Sequence, residues 1–188
     1  MKDNIQDSEL TNGKVSFSSP PLGGRGASIS VFAPATVANV VCGFDVLGFA
    51  VNEPGDEVIM RITNKPGITI SKITGDDGRL PLDPAKNTVS VSVQHYLQSI
   101  SRTDIGLDIE LHKKMPIGSG LGSSSASTVA GLFAAKTLLG DETDPVELLP
   151  FARKGEEMAC GHGHADNVAP ALLGGFVLIR SYDPLDIV

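Results

Sequence analysis

No stretch narrows what this chain can become as far as PIGSGLGSSSAS, Pro116–Ser127. Three glycines and five serines stand directly before a run of helix-forming residues. A helix start carries unpaired N–H groups and a partial positive charge, so bare backbone placed there makes an anion site. Gly118, Gly120 and Gly122 remove the side chains that would hold a polyphosphate away, and Ser123, Ser124 and Ser125 add hydroxyls at the first turn. The other reading is a tight strand-to-helix turn whose glycines serve packing and whose serines are caps. Two common phosphate motifs are excluded by spacing: no lysine follows the glycines as a P-loop requires, and G-x-G-x-G is not the dinucleotide pattern G-x-G-x-x-G. Protein-kinase signatures such as H-R-D and D-F-G are absent as well.

Periodicity places this loop inside an α+β pattern. SISVFA alternates Ile29, Val31 and Ala33 inward, and EVIMRIT does the same with Val58, Met60 and Ile62, so both read as strands. The segment between them is broken by Gly and Pro and reads as an ordered loop. GITISKITG is a further strand, closed by a GDDG turn, after which Asn87 caps a helix with Val89, Val93, Leu97 and Ile100 on one face. GLDIELH alternates Leu107, Ile109 and Leu111 against Asp108, Glu110 and His112, which predicts a half-buried strand leading straight into the glycine loop. Beyond it, Ala126, Val129, Ala130 and Phe133 mark a helix ending near Gly140. Asp144 and Pro145 open another helix, which Pro150 bends or divides, and GGFVLIRSY returns as a strand. Residues 1 to about 27 are polar and rich in Ser, Pro and Gly, and are expected to form a flexible leader before one domain over residues 28–188.

Charge and composition narrow the partner. A net charge of −7 with scattered basic residues argues against a nucleic-acid footprint and leaves a small molecule as the expected partner. No run is long and apolar enough to span a membrane and the N-terminus lacks a secretory apolar core, so a cytoplasmic location is expected. Cys42 and Cys160 give no disulfide framework.

PIGSGLGSSSAS closely resembles the central motif of the GHMP small-molecule kinases. Two more stretches, PATVANVVCGFDVLG from Pro34 to Gly48 and GHADNVAPALLGG from Gly163 to Gly175, resemble the members that phosphorylate homoserine. That resemblance implies a two-layer fold like domain 2 of ribosomal protein S5, with ATP and Mg²⁺ as cofactors and L-homoserine as acceptor in threonine biosynthesis. By similarity, Pro116, Ile117, Gly118, Ser119, Gly120, Leu121, Gly122, Ser123, Ser124 and Ser125 would wrap the phosphates, and Asn87 would contact the nucleoside. Glu156, with Ser123 or Ser124, would hold the metal; its other reading is a solvated helix face beside Glu157. Asn39 and Asp45 would hold the amino group of homoserine, though both also suit turn caps. His164 and Asn167 would sit at the reacting hydroxyl, with Asp166 as a candidate base between them. In PATVAN, serines are more usual before the Asn, a tolerable departure.

The family also carries a C-terminal ferredoxin-like domain after these motifs, with a second glycine-rich segment and carboxylate-binding arginines. The chain is therefore expected to be an N-terminal portion with weak or no homoserine turnover, whose uncovered surface invites pairing of two copies. Three alternatives stay open: a kinase of mevalonate or a sugar, a nucleotide-binding module without catalysis, and a metal-binding domain built on Cys160, His162, His164 and Asp166.

Overall fold

The computed structural model describes residues 8–9, 14–18, 26–161 and 163–188, with Ser8–Glu9, Lys14–Ser18, Ala159 and Cys160 described by backbone alone. Among the described residues the strands are β1 (Ser8–Glu9), β2 (Lys14–Ser18), β3 (Ser28–Val40), β4 (Gly43–Thr63), β5 (Gly67–Thr74), β6 (Gly106–His112), β7 (Phe176–Tyr182) and β8 (Leu185–Ile187). Four helices join them: α1 (Thr88–Ser99), α2 (Ser123–Leu138), α3 (Leu149–Cys160) and α4 (Val168–Leu173). The sheet runs β1-β2-β3-β4-β6-β5, and β7 adds to β4 and carries β8. All neighbours are antiparallel except β5 and β6, which α1 connects, because parallel strands need a long crossover.

Alternation decides which face is covered. Ile29, Val31, Ala33, Val58, Met60, Leu107, Ile109 and Leu111 are all buried on the face that α2 covers. Helix α2 lies against β3 and β4, with α1 and α3 packed beside it. The two-layer α+β architecture expected from the sequence is therefore the one observed.

Four details differ from the sequence reading. The glycine- and proline-broken segment after Ala33 is not a loop: β3 runs on to Val40 and β4 begins at Gly43, forming one long hairpin with bulges between Pro34 and Thr36 and between Ala38 and Val40. Bulges disturb the period of two while keeping the ladder, which hides the strand from a periodicity count. Pro150 does not interrupt a helix. Asp144 caps a 3₁₀ turn over Pro145–Leu148, its carboxylate accepting from Val146 N, and Pro150 sits in the first turn of α3, where a missing N–H costs nothing. Helix α4, inside the segment read only as a motif, and strand β8 were not expected. Within the expected leader, β2 pairs with β3 from Val15–Val31 to Ser18–Ser28, while residues 1–7, 10–13 and 19–25 lie outside the described residues.

Strand β4 has two sets of partners along one edge. Its first half pairs with β7 at Leu47–Phe49 and its second half with β6 at Glu57–Thr63. Asp56 lies between these two paired stretches, and the start of α2 packs onto it.

Candidate active site

Helix α2 begins without a side-chain cap. Its N-cap is Gly122, left-handed at φ 64°, and no serine of the first turn takes the capping role. Among the described residues no side chain caps these first-turn amides, which leaves them open to a ligand. A bulkier residue is excluded at Gly122, since a Cβ there would stand 2.0 Å from Thr36 Oγ1. The loop folds back through Ser119 N donating to Pro116 O at 3.3 Å, and Leu121 O accepts from Thr36 N at 3.0 Å. Residues 117–125 form one wall of a cleft of about 410 Å³, completed by Leu80 and Pro81, by Asn87, by Glu156 of α3 and by Asn167 at the start of α4.

Beneath that wall lies a charge pair the sequence reading missed. Asp56 is fully buried and its Oδ2 accepts from Lys113 Nζ, from Ser123 Oγ at 2.8 Å and from Ser127 Oγ at 2.8 Å. Oδ1 accepts from Lys114 N at 2.9 Å and Met115 N at 3.3 Å. Lys113 also donates to Ser123 O at 2.9 Å and Ser127 Oγ at 2.7 Å. Burial pulls the Lys113 pKa down, against the attraction of Asp56. One carboxylate with five donors thereby fixes the end of β6, the approach to the loop and the first turn of α2.

The serines divide their work accordingly. Ser123 gives its hydroxyl to Asp56, whereas Ser124 Oγ and Glu156 Oε1 are buried and find no well-aligned hydrogen-bond partner among the described residues. Burial raises the Glu156 pKa, Asp166 adds to the rise, and the nearby Ser124 and Ser125 hydroxyls with the Lys113 charge oppose it. Two orphaned oxygen donors at a helix start suit a hard cation that keeps other positions for phosphate oxygens and water. Asn87 lines the same cleft but spends both poles locally: Oδ1 accepts from Val89 N and Nδ2 donates to Pro81 O, each at 3.1 Å.

A second group gathers beside the first. Asn39 Oδ1 accepts from Asp45 N at 2.8 Å, so the turn-cap reading of Asn39 holds for its oxygen. His164 Nδ1 lies 2.9 Å from Asp45 Oδ1. Asp166 is buried, and desolvation with the Asp45 charge raises its pKa, against the pull of His164. Asn167 Oδ1 accepts from Thr36 Oγ1 at 2.7 Å. Tyr182 was also missed: its hydroxyl donates to Asp45 O at 2.5 Å and accepts from Ala165 N at 3.3 Å, while Arg153 lies over its ring at 5.1 Å and donates Nε to Gly163 O at 2.7 Å. Gly48 lets the segment come this close, since a Cβ there would stand 1.8 Å from Asp166 O. Among the described residues no group of three or more His, Cys, Asp or Glu is arranged to hold a metal; His162 and the Cys160 side chain lie outside them.

The model of the GHMP kinases N terminal domain matches residues 87–175. The chain is 52% identical to homoserine kinase of Chloroherpeton thalassium over 170 residues, which is 85% of this chain and 53% of that protein. Homoserine kinase of Arabidopsis thaliana is 41% identical over 163 residues, covering 85% of this chain and 44% of that protein. Among solved structures, homoserine kinase of Cytophaga hutchinsonii matches at a TM-score of 0.84 and 62% identity, over 90% of this chain and 54% of the other. The chain spans about half the length of the curated relatives it matches. The glycine loop, the sheet order and these relatives point the same way: the chain is similar to the N-terminal domain of the GHMP kinases, whose model matches residues 87–175.

Proposed function

We propose that residues 28–188 form the ATP-binding, acceptor-facing domain of a kinase that transfers the γ-phosphoryl group of ATP to the side-chain hydroxyl of L-homoserine, yielding O-phospho-L-homoserine. The observation that carries this reading is the uncapped start of α2 on an open cleft, with the unpaired Ser124 Oγ and Glu156 Oε1 beside it. The first-turn amides and the loop from Pro116 to Ser125 take the phosphates. Glu156 and Ser124 would hold Mg²⁺, which supplies charge neutralisation on the transferring phosphoryl group. Ser123 serves the loop's foundation instead, and Asn87 shapes the nucleoside end.

On the acceptor side, Asp45 offers a carboxylate to the substrate ammonium and Asn39 holds the Asp45 backbone in place. Asn167 positions the hydroxyl. A raised pKa suits Asp166 to receive the hydroxyl proton at its carboxylate, although phosphoryl transfer draws most of its rate from positioning and charge neutralisation. Small molecules are the partners in this reading, with no nucleic acid or membrane, and the location is cytoplasmic. No helix among the described residues is long and apolar enough to cross a membrane.

Coupled ADP release tests the assignment, run with homoserine, mevalonate and galactose on this chain and on its full-length gene product. Homoserine-dependent release by the full-length protein is expected. Release with mevalonate or galactose instead would move the acceptor assignment while leaving the nucleotide site standing. A second reading is nucleotide binding without catalysis, since the uncapped start of α2 on its cleft needs no acceptor to take a nucleotide. Binding of a fluorescent ATP analogue with no phosphohomoserine from either protein would favour it.

A further inference from the structure

We propose that Thr36 is a positioning residue of the transfer site: its buried hydroxyl turns the Asn167 carboxamide so that Nδ2 rather than Oδ1 faces the cleft. The inference rests on the reading of Asn167 as the residue that meets the acceptor. Thr36 is fully buried in β3, donates N–H to Leu121 O at 3.0 Å and donates Oγ1 to Asn167 Oδ1 at 2.7 Å. Gly122 closes the junction, its absent side chain leaving space that a Cβ would share with Thr36 Oγ1 at 2.0 Å and Asn167 Oδ1 at 2.8 Å. The hairpin, the phosphate loop and the segment before α4 thus meet at one hydroxyl.

The orientation follows from where the proton can go. A threonine hydroxyl both donates and accepts, so either pole of the amide could face it. Among the described residues, Asn167 is the one hydrogen-bond partner of Thr36 Oγ1. Reversing the amide would leave the hydroxyl proton without an acceptor in a fully buried place, which is unfavourable. With Oδ1 taken by Thr36, the pole left for the cleft is the donor Nδ2. A donor there can hold a lone pair of the attacking hydroxyl oxygen or an equatorial oxygen of the γ-phosphoryl group, where charge redistributes during transfer. An exposed Oδ1 would instead compete for the hydroxyl proton and repel phosphate oxygens.

Two substitutions in the full-length protein test this. Thr36→Val keeps the shape and the backbone bond to Leu121 and removes only the hydroxyl, while Thr36→Ser keeps the hydroxyl. In homoserine-dependent ADP release, Thr36→Val is expected to lower kcat about tenfold or more with the KM for ATP changed less than about twofold, and Thr36→Ser to stay within about threefold of the parent. An unchanged kcat, a loss confined to the KM for ATP, or a loss that Thr36→Ser shares would overturn the proposal. If the parent protein ignores homoserine, the proposed function fails on its own account, and Thr36 is judged by ¹⁵N-edited NMR of the Asn167 side-chain amide. That signal is expected to move in Thr36→Val and to stay near the parent position in Thr36→Ser; no movement in the valine variant overturns the proposal.

Discussion

The start of α2 and the tip of the β3–β4 hairpin border the same site, yet the first is anchored by a buried charge and the second by backbone in costly conformations. Under α2, Asp56 and Lys113 are almost wholly shielded from water and share their hydrogen bonds with Ser123 and Ser127. At the hairpin, Asn39, Val41 and Asp45 all have positive φ, between 52° and 60°, and Val41 and Phe44 stand out into solvent at 94% and 70% exposure. A β-branched residue in the left-handed region is unfavourable, and strain of this kind persists only where the surroundings over-determine it. The clasp here is the Tyr182 hydroxyl on Asp45 O, together with Asn39 Oδ1 on Asp45 N. One wall is therefore held by a buried network, while the other is a strained strap whose shape depends on a few contacts.

Breaking the foundation should have the largest effect. Asp56→Ala leaves the Lys113 ammonium buried without its partner, so stability is expected to fall by about 3–5 kcal/mol in urea titration, with much of the soluble protein lost. A loss below about 1 kcal/mol would mean the pair is not what holds the loop.

Loosening the clasp should come next and stay on the acceptor side. Tyr182→Phe removes two hydrogen bonds and is expected to cost about 1–2 kcal/mol, with a several-fold rise in the KM for homoserine and unchanged affinity for a fluorescent ATP analogue. Equal damage to both ligands would erase the contrast between the walls.

The smallest effect is a gain. Because burial raises the Glu156 pKa, the folded chain takes up a proton there more readily than the unfolded chain does. The stability this group contributes is present in acid and is lost as pH rises from the ordinary glutamate range through the raised value. Glu156→Gln should therefore raise the metal-free melting temperature at neutral pH, on the order of 2 °C, with the advantage fading on acidification. The same variant should lose the extra stabilisation that Mg²⁺ gives with nucleotide. An unchanged response to Mg²⁺ would remove Glu156 from the metal site.

Much of the wall at the start of α2 was legible in the chain, because helix starts and glycine loops are local events. The order strand, PIGSGLG, helix needs nothing from elsewhere to be read, and Asn87 and Asp144 act as the caps their positions announce. Asp56 and Lys113 were also within reach. The alternation that buries Val58 and Met60 on β4, and Leu107, Ile109 and Leu111 on β6, continues outward on both strands. It places Asp56 two residues before Val58 and Lys113 two residues after Leu111, each on the buried face. The lysine pair after His112 reads as a solvated strand end only if that alternation is stopped too soon. Thr36, Tyr182 and Arg153 carried no comparable signal, since each acts through a partner remote in the chain, as Thr36 does through Asn167, 131 positions away.

Local chemistry along the chain was enough to set the conformations and the faces they bury: period two for strands, period near four for helices, and glycine wherever φ turns positive at the loop. Packing alone selected which serine gives its hydroxyl to Asp56, which pole of Asn167 is held by Thr36 and which carboxyls are raised. Those outcomes depend on desolvation and on hydrogen-bond partners from distant segments, and both come into being when the hairpin, α2, α3 and β7 pack together.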